Sequence, residues 1–351
     1  MSRGSLAVVG GGVIGLSVAR AAAQAGWRAT VYDAGSGATS HVAGGMLAPL
    51  SEAWPGEAAA LELGVAALRR WPEFAAGLGV DVVTARGTLT VAFDAADATD
   101  LRTVAELLTA HGHAAELLDR AHVRAAEPAV GRGVRLGLLA PDELAVDNRM
   151  LVRALAAGIE VVDGAVPDLS ALPADQVVLA AGHASAQLWP GLPVRPVKGE
   201  ILRLRARPSS PVAPARTIRA RVHGRPVYLV PRTGGIVVGA TQYESADTAV
   251  TVAGVRDLIA DAEAVLPGLG DYELAEAAAG LRPVSPDNVP LIGRLSERVL
   301  VATGHGRNGF LLAPLTADAI VAELAGNPLP EAKHADPQRF TEGESWSPRR
   351  S

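Results

Sequence analysis

Apolar residues fall into two kinds of run along this chain. The first kind is short, rich in β-branched residues and closed by glycine: SLAVV at 5–9, QVVLAAG at 176–182 and RVLVATG at 298–304. Such runs read as strands buried on both faces. Behind the first of them, residues 13–25 follow a helical period. Ile14, Val18, Ala21, Ala22 and Ala25 can share one face, and Gly26 supplies a stop. RATVYD (28–33) is the next strand, so a β-α-β unit opens a parallel sheet. The three glycine-closed runs lie far apart in sequence. They become neighbours in one sheet only if their domain is discontinuous.

The second kind of run alternates. TLTVAF (88–93), EILRLRA (200–206), PVYLVPR (226–232) and GIVVGAT (235–241) read as antiparallel strands, with Thr233-Gly234-Gly235 as the turn between the last two. Residues 96–111, 119–127 and 252–266 predict helices flanking that sheet.

Between the first strand and the first helix stands Gly10-x-Gly12-x-x-Gly15. Gly10 allows a tight turn, Gly12 lets backbone approach a pyrophosphate, and Gly15 lets helix and strand pack closely. The helix N-terminus offers free N–H groups and a positive dipole end to an anion. Asp33 closes the second strand, 18 residues after Gly15, where its carboxylate can accept from a ribose hydroxyl. The motif indicates a dinucleotide and does not separate NAD from FAD. The predicted fold class is α/β (α+β overall): a Rossmann-like nucleotide domain interleaved with an antiparallel-sheet substrate domain. Residues 1–80, 140–199 and 278–330 are assigned to the first, 81–139 and 200–277 to the second, and 331–351, polar and rich in Pro and Ser, to a loose tail.

Composition narrows the chemistry. The 351 residues are 49% hydrophobic, enough for a large core. A net charge of −5 without a basic block argues against nucleic acid or a membrane surface as partner. The absence of cysteine removes disulfides, thiolate metal sites and a cysteine-linked cofactor; no metal site is expected, and the reducing cytoplasm is the expected compartment. Lys198 and Lys333 are the only lysines among 32 basic residues, which reads as genome composition. Arg3 ahead of an apolar run loosely mimics a signal peptide, but the triple glycine interrupts it and an acid-terminated strand follows. No apolar stretch reaches the length of a membrane-spanning helix.

Two further stretches carry chemistry. GHGRNGFLLAP (304–314) follows the third glycine-closed strand and opens a helix of about 310–325, with Pro314 in its first turns and Gly326 and Asn327-Pro328 ending it. The loop therefore aims a second helix N-terminus at something. A flavin, whose N1–C2=O region gains negative charge on reduction, has use for that; a capped C-terminal helix alone is the plainer alternative. In GLRPVSPDNVPLIG (280–293), three prolines predict a stiff loop after a strand, with Arg282 where the loop leaves the core. An arginine so held suits bidentate capture of a carboxylate, or else pairs with an aspartate.

Together with TSHVAGGMLAP (39–49) and PVKGE (196–200), in this order and over about residues 5–327, these motifs resemble the D-amino-acid oxidase and sarcosine oxidase superfamily of flavoproteins, and within it the glycine oxidase branch tied to thiamine biosynthesis. The resemblance implies non-covalent FAD and an oxidase that yields an imine and hydrogen peroxide. It implies that Val13 and Ile14 lie at the pyrophosphate turn, that Asp33 and Ala34 meet the ribose, and that Val166 offers backbone to the adenine. Thr39, Ser40, Gly44, Gly45 and Met46 would line the phosphate and flavin side. His305, Gly306, Arg307, Asn308, Gly309, Phe310 and Leu311 would wrap the isoalloxazine. Arg282 matches the carboxylate-binding arginine, Tyr228 the tyrosine that assists it, and Arg307 would join them. Two positions depart. Gln242 stands where an apolar pocket residue is expected. His41 lies near, but out of register with, a histidine that carries flavin covalently in related dehydrogenases. The implied partners are a small amino acid or amine and O2, within a homo-oligomer. A flavin dehydrogenase using another acceptor, an NAD-dependent dehydrogenase and a non-catalytic flavin-binding protein remain the competing classes.

Overall fold

A computed structural model describes residues 3–35 and 38–340. Six strands form one sheet in the order Leu291–Arg294, Val299–Thr303, Gln176–Leu179, Ser5–Val9, Arg28–Asp33, Glu160–Asp163. All neighbours are parallel except the Leu291–Arg294 and Val299–Thr303 pair. The three glycine-closed runs are thus adjacent, as the pattern predicts. Their side chains are almost wholly buried because helices cover the sheet, and Glu160–Asp163, at the edge, is exposed throughout.

The helix Val13–Gln24 packs against both the sheet and the helix Gly309–Leu324. Its buried arc is therefore wider than a one-sided face: Gly15, Leu16, Ser17, Val18, Ala19 and Ala22 are buried, while Ile14 and Ala21 are only partly so. Gly26 ends it at φ +93°, as expected of a C-terminal glycine. At the other end, a Cβ built on Gly15 would stand 1.9 Å from the Gly10 carbonyl oxygen. Only glycine allows helix and turn to approach so closely.

The second sheet holds nine strands, ordered Glu273–Val284, Arg195–Arg205, Gly235–Gly239, Arg225–Arg232, Thr217–Val222, Val83–Ala92, Leu136–Val146 and Met46–Leu47, with Glu116–Asp119 beside Leu136–Val146. The hairpin turn at Thr233-Gly234 is present, with Gly234 at φ +74°. The sheet is not purely antiparallel, since Thr217–Val222 runs parallel to Val83–Ala92. The strands Arg195–Arg205 and Glu273–Val284 run through the expected domain boundaries at 199/200 and 277/278. The helices at 95–110, 120–126 and 252–265 fall where the periodicity puts them.

Three expectations need correction. GLRPVSPDNVPLIG is mostly strand: Glu273–Val284 carries Arg282 and Pro283, and the loop shrinks to 285–290. Pro283 is tolerated because this strand is at the sheet edge, opposite Pro196. Pro314 lies in the second turn of the helix Gly309–Leu324, past the first four residues, whose N–H groups have no partner within the helix and where a proline costs least. The loose tail does not begin at 331. Pro330–Ala335 and Pro337–Arg339 form short 3-10 turns that bury Ala332 and Ala335, and Arg339 forks onto Asp287 at 2.8 and 3.1 Å. The remainder of that segment, 341–351, lies outside the described residues. Among the described residues no helix is long and apolar enough to cross a membrane, and no group of three or more His, Asp or Glu side chains could hold a metal ion.

The Gly10–Gly15 contact gives a test of sign. In an unconstrained helix, Gly→Ala stabilises by about 1 kcal/mol. Here the added methyl meets backbone, and overpacking costs roughly 1–3 kcal/mol or more. Gly15→Ala is expected to lower the melting temperature; a rise would mean that the close approach does not exist.

Candidate active site

The two sheets meet around one cavity of about 370 Å³, within the ~300–1,000 Å³ usual for ligand sites. The glycine turn, the Thr39–Met46 segment, the ends of several second-sheet strands and the 305–311 loop all line it. Of the predicted residues, Gly10, Gly12, Val13, Ile14, Thr39, Ser40, Gly44, Gly45, Met46, Tyr228, Gln242, Arg282 and His305 through Leu311 share this lining. Gly15, Asp33, Ala34 and Val166 do not. Gly15 is buried in the turn, Ala34 is exposed, and Val166 packs into an apolar cluster beneath the sheet.

The Thr39–Met46 segment is tied down at every step. Ser40 Oγ accepts the Val13 N–H at 3.0 Å, so that N–H is committed to protein. Thr39 Oγ1 donates to the Leu281 carbonyl at 3.0 Å, joining the segment to the strand of Arg282. Asn148 Nδ2 donates to the Ser40 and His41 carbonyls. Arg232, buried so deeply that its pKa is pushed down to about 10, donates to the Gly44 carbonyl. His41 itself is exposed and outside the cavity lining.

At the glycine turn, Asp33 Oδ1 is buried without a hydrogen-bond partner. Its carboxylate faces Gly11, where a Cβ would come within 2.6 Å. A buried acceptor left open beside a glycine turn fits a ribose hydroxyl, since such groups are costly unless satisfied.

Across the cavity, His305 does not present its ring. The imidazole is buried with Nε2 on Thr316 Oγ1 at 3.0 Å, and burial pushes its pKa down to about 3. It is a neutral packing group, and the loop offers backbone instead. Gly306–Asn308 make one 3-10 turn before the helix starts at Gly309. That helix N-terminus carries no side-chain cap, and Trp71, fully buried, fixes its first turn by donating Nε1–H to the Leu311 carbonyl at 2.9 Å. Uncapped N–H groups bordering a cavity favour negative charge there.

Arg282 reaches the cavity from the edge strand. Its guanidinium lies over Gly199, where a Cβ would stand 2.3 Å from Nη2, and Nη1 donates to the Thr241 carbonyl at 3.2 Å. Burial presses its pKa down, and the nearby Arg307 adds to this, while Tyr228 and Glu52 oppose it. No described carboxylate forms an ion pair with it. The Tyr228 ring slots between Gly44 and Gly239. Burial raises the phenol's pKa, so its O–H remains a donor at neutral pH. Gln242 follows Thr241 and is exposed at the cavity rim.

Arg307 is placed differently from expectation. Its Nε donates to Glu52 at 2.6 Å, and Arg219 Nη1 holds the other Glu52 oxygen at 2.8 Å. Arg307 is therefore not a free cation for a substrate carboxylate. Glu52 and Arg219 both line the cavity, and the sequence reading missed both. Their signals were a charged residue inside the apolar run APLSEAW and an alternating TIRARV strand.

A dinucleotide turn on a parallel sheet, a second helix N-terminus across the cavity and a buried cation in its lining fit a nucleotide-dependent redox enzyme. Residues 5–324 match the FAD dependent oxidoreductase family, and the chain belongs to it. Its cofactor is FAD. A putative thiamine biosynthesis oxidoreductase ThiO of Rhizobium etli is 35% identical over 328 residues, covering 90% of this chain and 95% of that protein. The bifunctional protein ThiO/ThiG of Trichormus variabilis is 31% identical over 98% of this chain, which spans 56%, about half, of that relative's length. The crystal structure of glycine oxidase from Geobacillus kaustophilus superposes with a TM-score of 0.87 at 26% identity, over 97% of this chain and 100% of that one.

Asp33→Ala is expected to weaken FAD retention, because its open carboxylate oxygen lies at the glycine turn and outside the cavity lining that holds Arg282. The measure is the FAD-to-protein ratio and the FAD dissociation constant at equal thermal stability. An unchanged constant would remove Asp33 from the cofactor site.

Proposed function

We propose that the protein oxidises glycine, sarcosine and small D-amino acids with O2, through non-covalent FAD. An amino acid, O2 and water would become a 2-oxo acid (or glyoxylate), ammonia or methylamine, and hydrogen peroxide. The observation that carries this reading is Arg282: a guanidinium buried over Gly199, unpaired by any described carboxylate, in the cavity that the glycine turn also lines. The names of the similar proteins support glycine as a substrate and a role in thiamine biosynthesis, which we read as formation of the thiazole.

When bound, FAD supplies a hydride acceptor for the substrate Cα–H bond. The chain's own residues orient the substrate. Arg282 takes the carboxylate, and Tyr228 donates a second hydrogen bond to it, which together fix the Cα position. His305 is held neutral and turned onto Thr316, so its imidazole does not act as a base. None is required when the amine enters unprotonated. The uncapped start of the helix Gly309–Leu324 favours negative charge on the group it faces.

Anaerobic mixing with glycine, sarcosine, D-alanine and D-proline should bleach the flavin, and the same substrates in air should yield peroxide. Bleaching without peroxide would mark a dehydrogenase; no bleaching with any of them would end the reading.

Arg282→Ala should lower kcat/KM for glycine by at least ~10- to 100-fold, since a charged hydrogen-bonded pair contributes roughly 1.5–3 kcal/mol and about 1.4 kcal/mol is tenfold. The flavin spectrum and FAD content should hardly change. Arg282→Lys should rescue poorly, because one ammonium lacks the planar fork. Loss of FAD, or an equal loss for amines without a carboxylate, would make Arg282 structural.

A further inference from the structure

Four arginines line the cavity: Arg195, Arg219, Arg282 and Arg307. Three have a carboxylate. Arg195 pairs with Glu244, and Arg219 and Arg307 share Glu52 at 2.8 and 2.6 Å, with Glu57 a further 3.9 Å from Arg307. Among the described residues only Arg282 has none. Glu52 is 10% exposed and sits inside the same apolar-walled space. Burial alone would raise its pKa, but the two guanidiniums outweigh burial and hold it ionised.

The position of Glu52 is built rather than incidental. The preceding residues are clamped by Glu143, which is fully buried. Its Oε1 accepts the Leu50 and Ser51 N–H groups at 2.6 and 2.8 Å, and Oε2 accepts Ser51 Oγ–H at 2.6 Å. Arg219 comes from a central strand of the second sheet and Arg307 from the loop before the C-terminal helix. One carboxylate therefore fixes two cations from two distant parts of the chain.

We propose that Glu52 sets the charge of the substrate: bridging Arg219 and Arg307, with Glu57 beside Arg307 as the second negative charge, it leaves Arg282 as the single uncompensated cation for an anionic group, so the site selects amino acids with one carboxylate and an uncharged side chain. This rests on the amino-acid oxidase reading and deepens it. A second carboxylate entering the cavity would find Arg195, Arg219 and Arg307 already paired and would face Glu52 itself, a like charge that costs rather than gains. Replacing Glu52 by its neutral isostere inverts this. Arg219 is then left without a carboxylate and Arg307 keeps Glu57 alone, so a second carboxylate becomes the group that satisfies them.

The test uses the FAD-loaded protein. In the wild type, acetate and malonate are titrated against the flavin absorption spectrum. Malonate should bind no more tightly than acetate; tenfold tighter binding of malonate would overturn the proposal, and this comparison needs no variant to fold. Then kcat/KM is measured for D-alanine and D-aspartate in the wild type and in Glu52→Gln. The D-aspartate to D-alanine ratio should rise about tenfold or more, mainly through a lower KM for D-aspartate, as expected when a remote charge adds ground-state binding. A Glu52→Gln enzyme that keeps its FAD and oxidises D-alanine with an unmoved ratio would overturn the proposal. If instead the wild type is reduced by no amino acid, it is the oxidase reading that fails, which the acetate and malonate titration distinguishes.

Discussion

Arg282 carries its charge into a cavity where the one hydrogen bond it makes to the described protein is to the Thr241 carbonyl. A buried guanidinium without a counterion is expensive, and it persists only where the surrounding structure leaves it no alternative. The edge strand Glu273–Val284 is locked against Arg195–Arg205 along its whole length. Gly199 opposes it with no side chain, so the guanidinium lies flat on backbone. The Thr241 carbonyl is itself held in place, because Thr241 exchanges hydrogen bonds with Glu200, which Lys198 and the Thr251 N–H also contact. The stored cost is recoverable by whatever anion enters, which is how a preformed site converts folding stability into binding.

Keeping one arginine open requires closing the others. Glu52 and Glu244 do this at the cavity wall, and the Glu52 arrangement reaches inward to Glu143, a buried acid whose pKa is raised by burial despite its bonds to Ser51. Glu143 holds the backbone just ahead of Glu52, and the charge of Arg219 acts on both carboxylates. Deleting Glu52 would leave Arg219 without its carboxylate, and deleting Glu143 would leave the Leu50 and Ser51 N–H groups without their acceptor. Tyr228 belongs to the same logic. Its ring fills the space that two glycines leave, and its hydroxyl lies within the field of Arg282 and Glu52.

Much of this fold was legible before any coordinates, and the reason is local. Strands buried on both faces leave a continuous apolar signature, as at 5–9, 176–179 and 299–303, and glycine turns leave a spacing. The strand Glu273–Val284 left neither: ELAEAAAGLRPV is alanine-rich, partly exposed and carries a proline, so its last residues read as loop. The helix Ala58–Ala76, with Pro72 inside it, was silent for a similar reason. The 3-10 turns after Pro330 owe their order to Arg339 reaching Asp287, more than 50 residues earlier in the chain, which no window of sequence contains. At the site, residues recognisable one by one were found, and partnerships were not. Arg307 reads as a substrate cation until Glu52 is placed beside it; His305 reads as a loop ligand until Thr316 takes its ring.

The interleaved topology explains why these partnerships are long-range. The strand that starts the glycine turn, the strand Gln176–Leu179 and the strand before the 305–311 loop are consecutive in the sheet, although they come from the beginning, middle and end of the chain. The helices that follow the first and last of them pack on each other. Neither helix N-terminus faces the other until that sheet is complete, and the second sheet must be in place before Arg282, Tyr228 and Arg219 join them. A cofactor spanning the glycine turn and the C-terminal loop therefore binds only the fully assembled chain. By mass action it stabilises that state alone, by an amount set by its concentration relative to its dissociation constant. Affinity for FAD and the stability of the FAD-loaded fold are therefore linked: substitutions that loosen the contact between the two ends of the chain weaken cofactor binding even where they touch no cofactor atom.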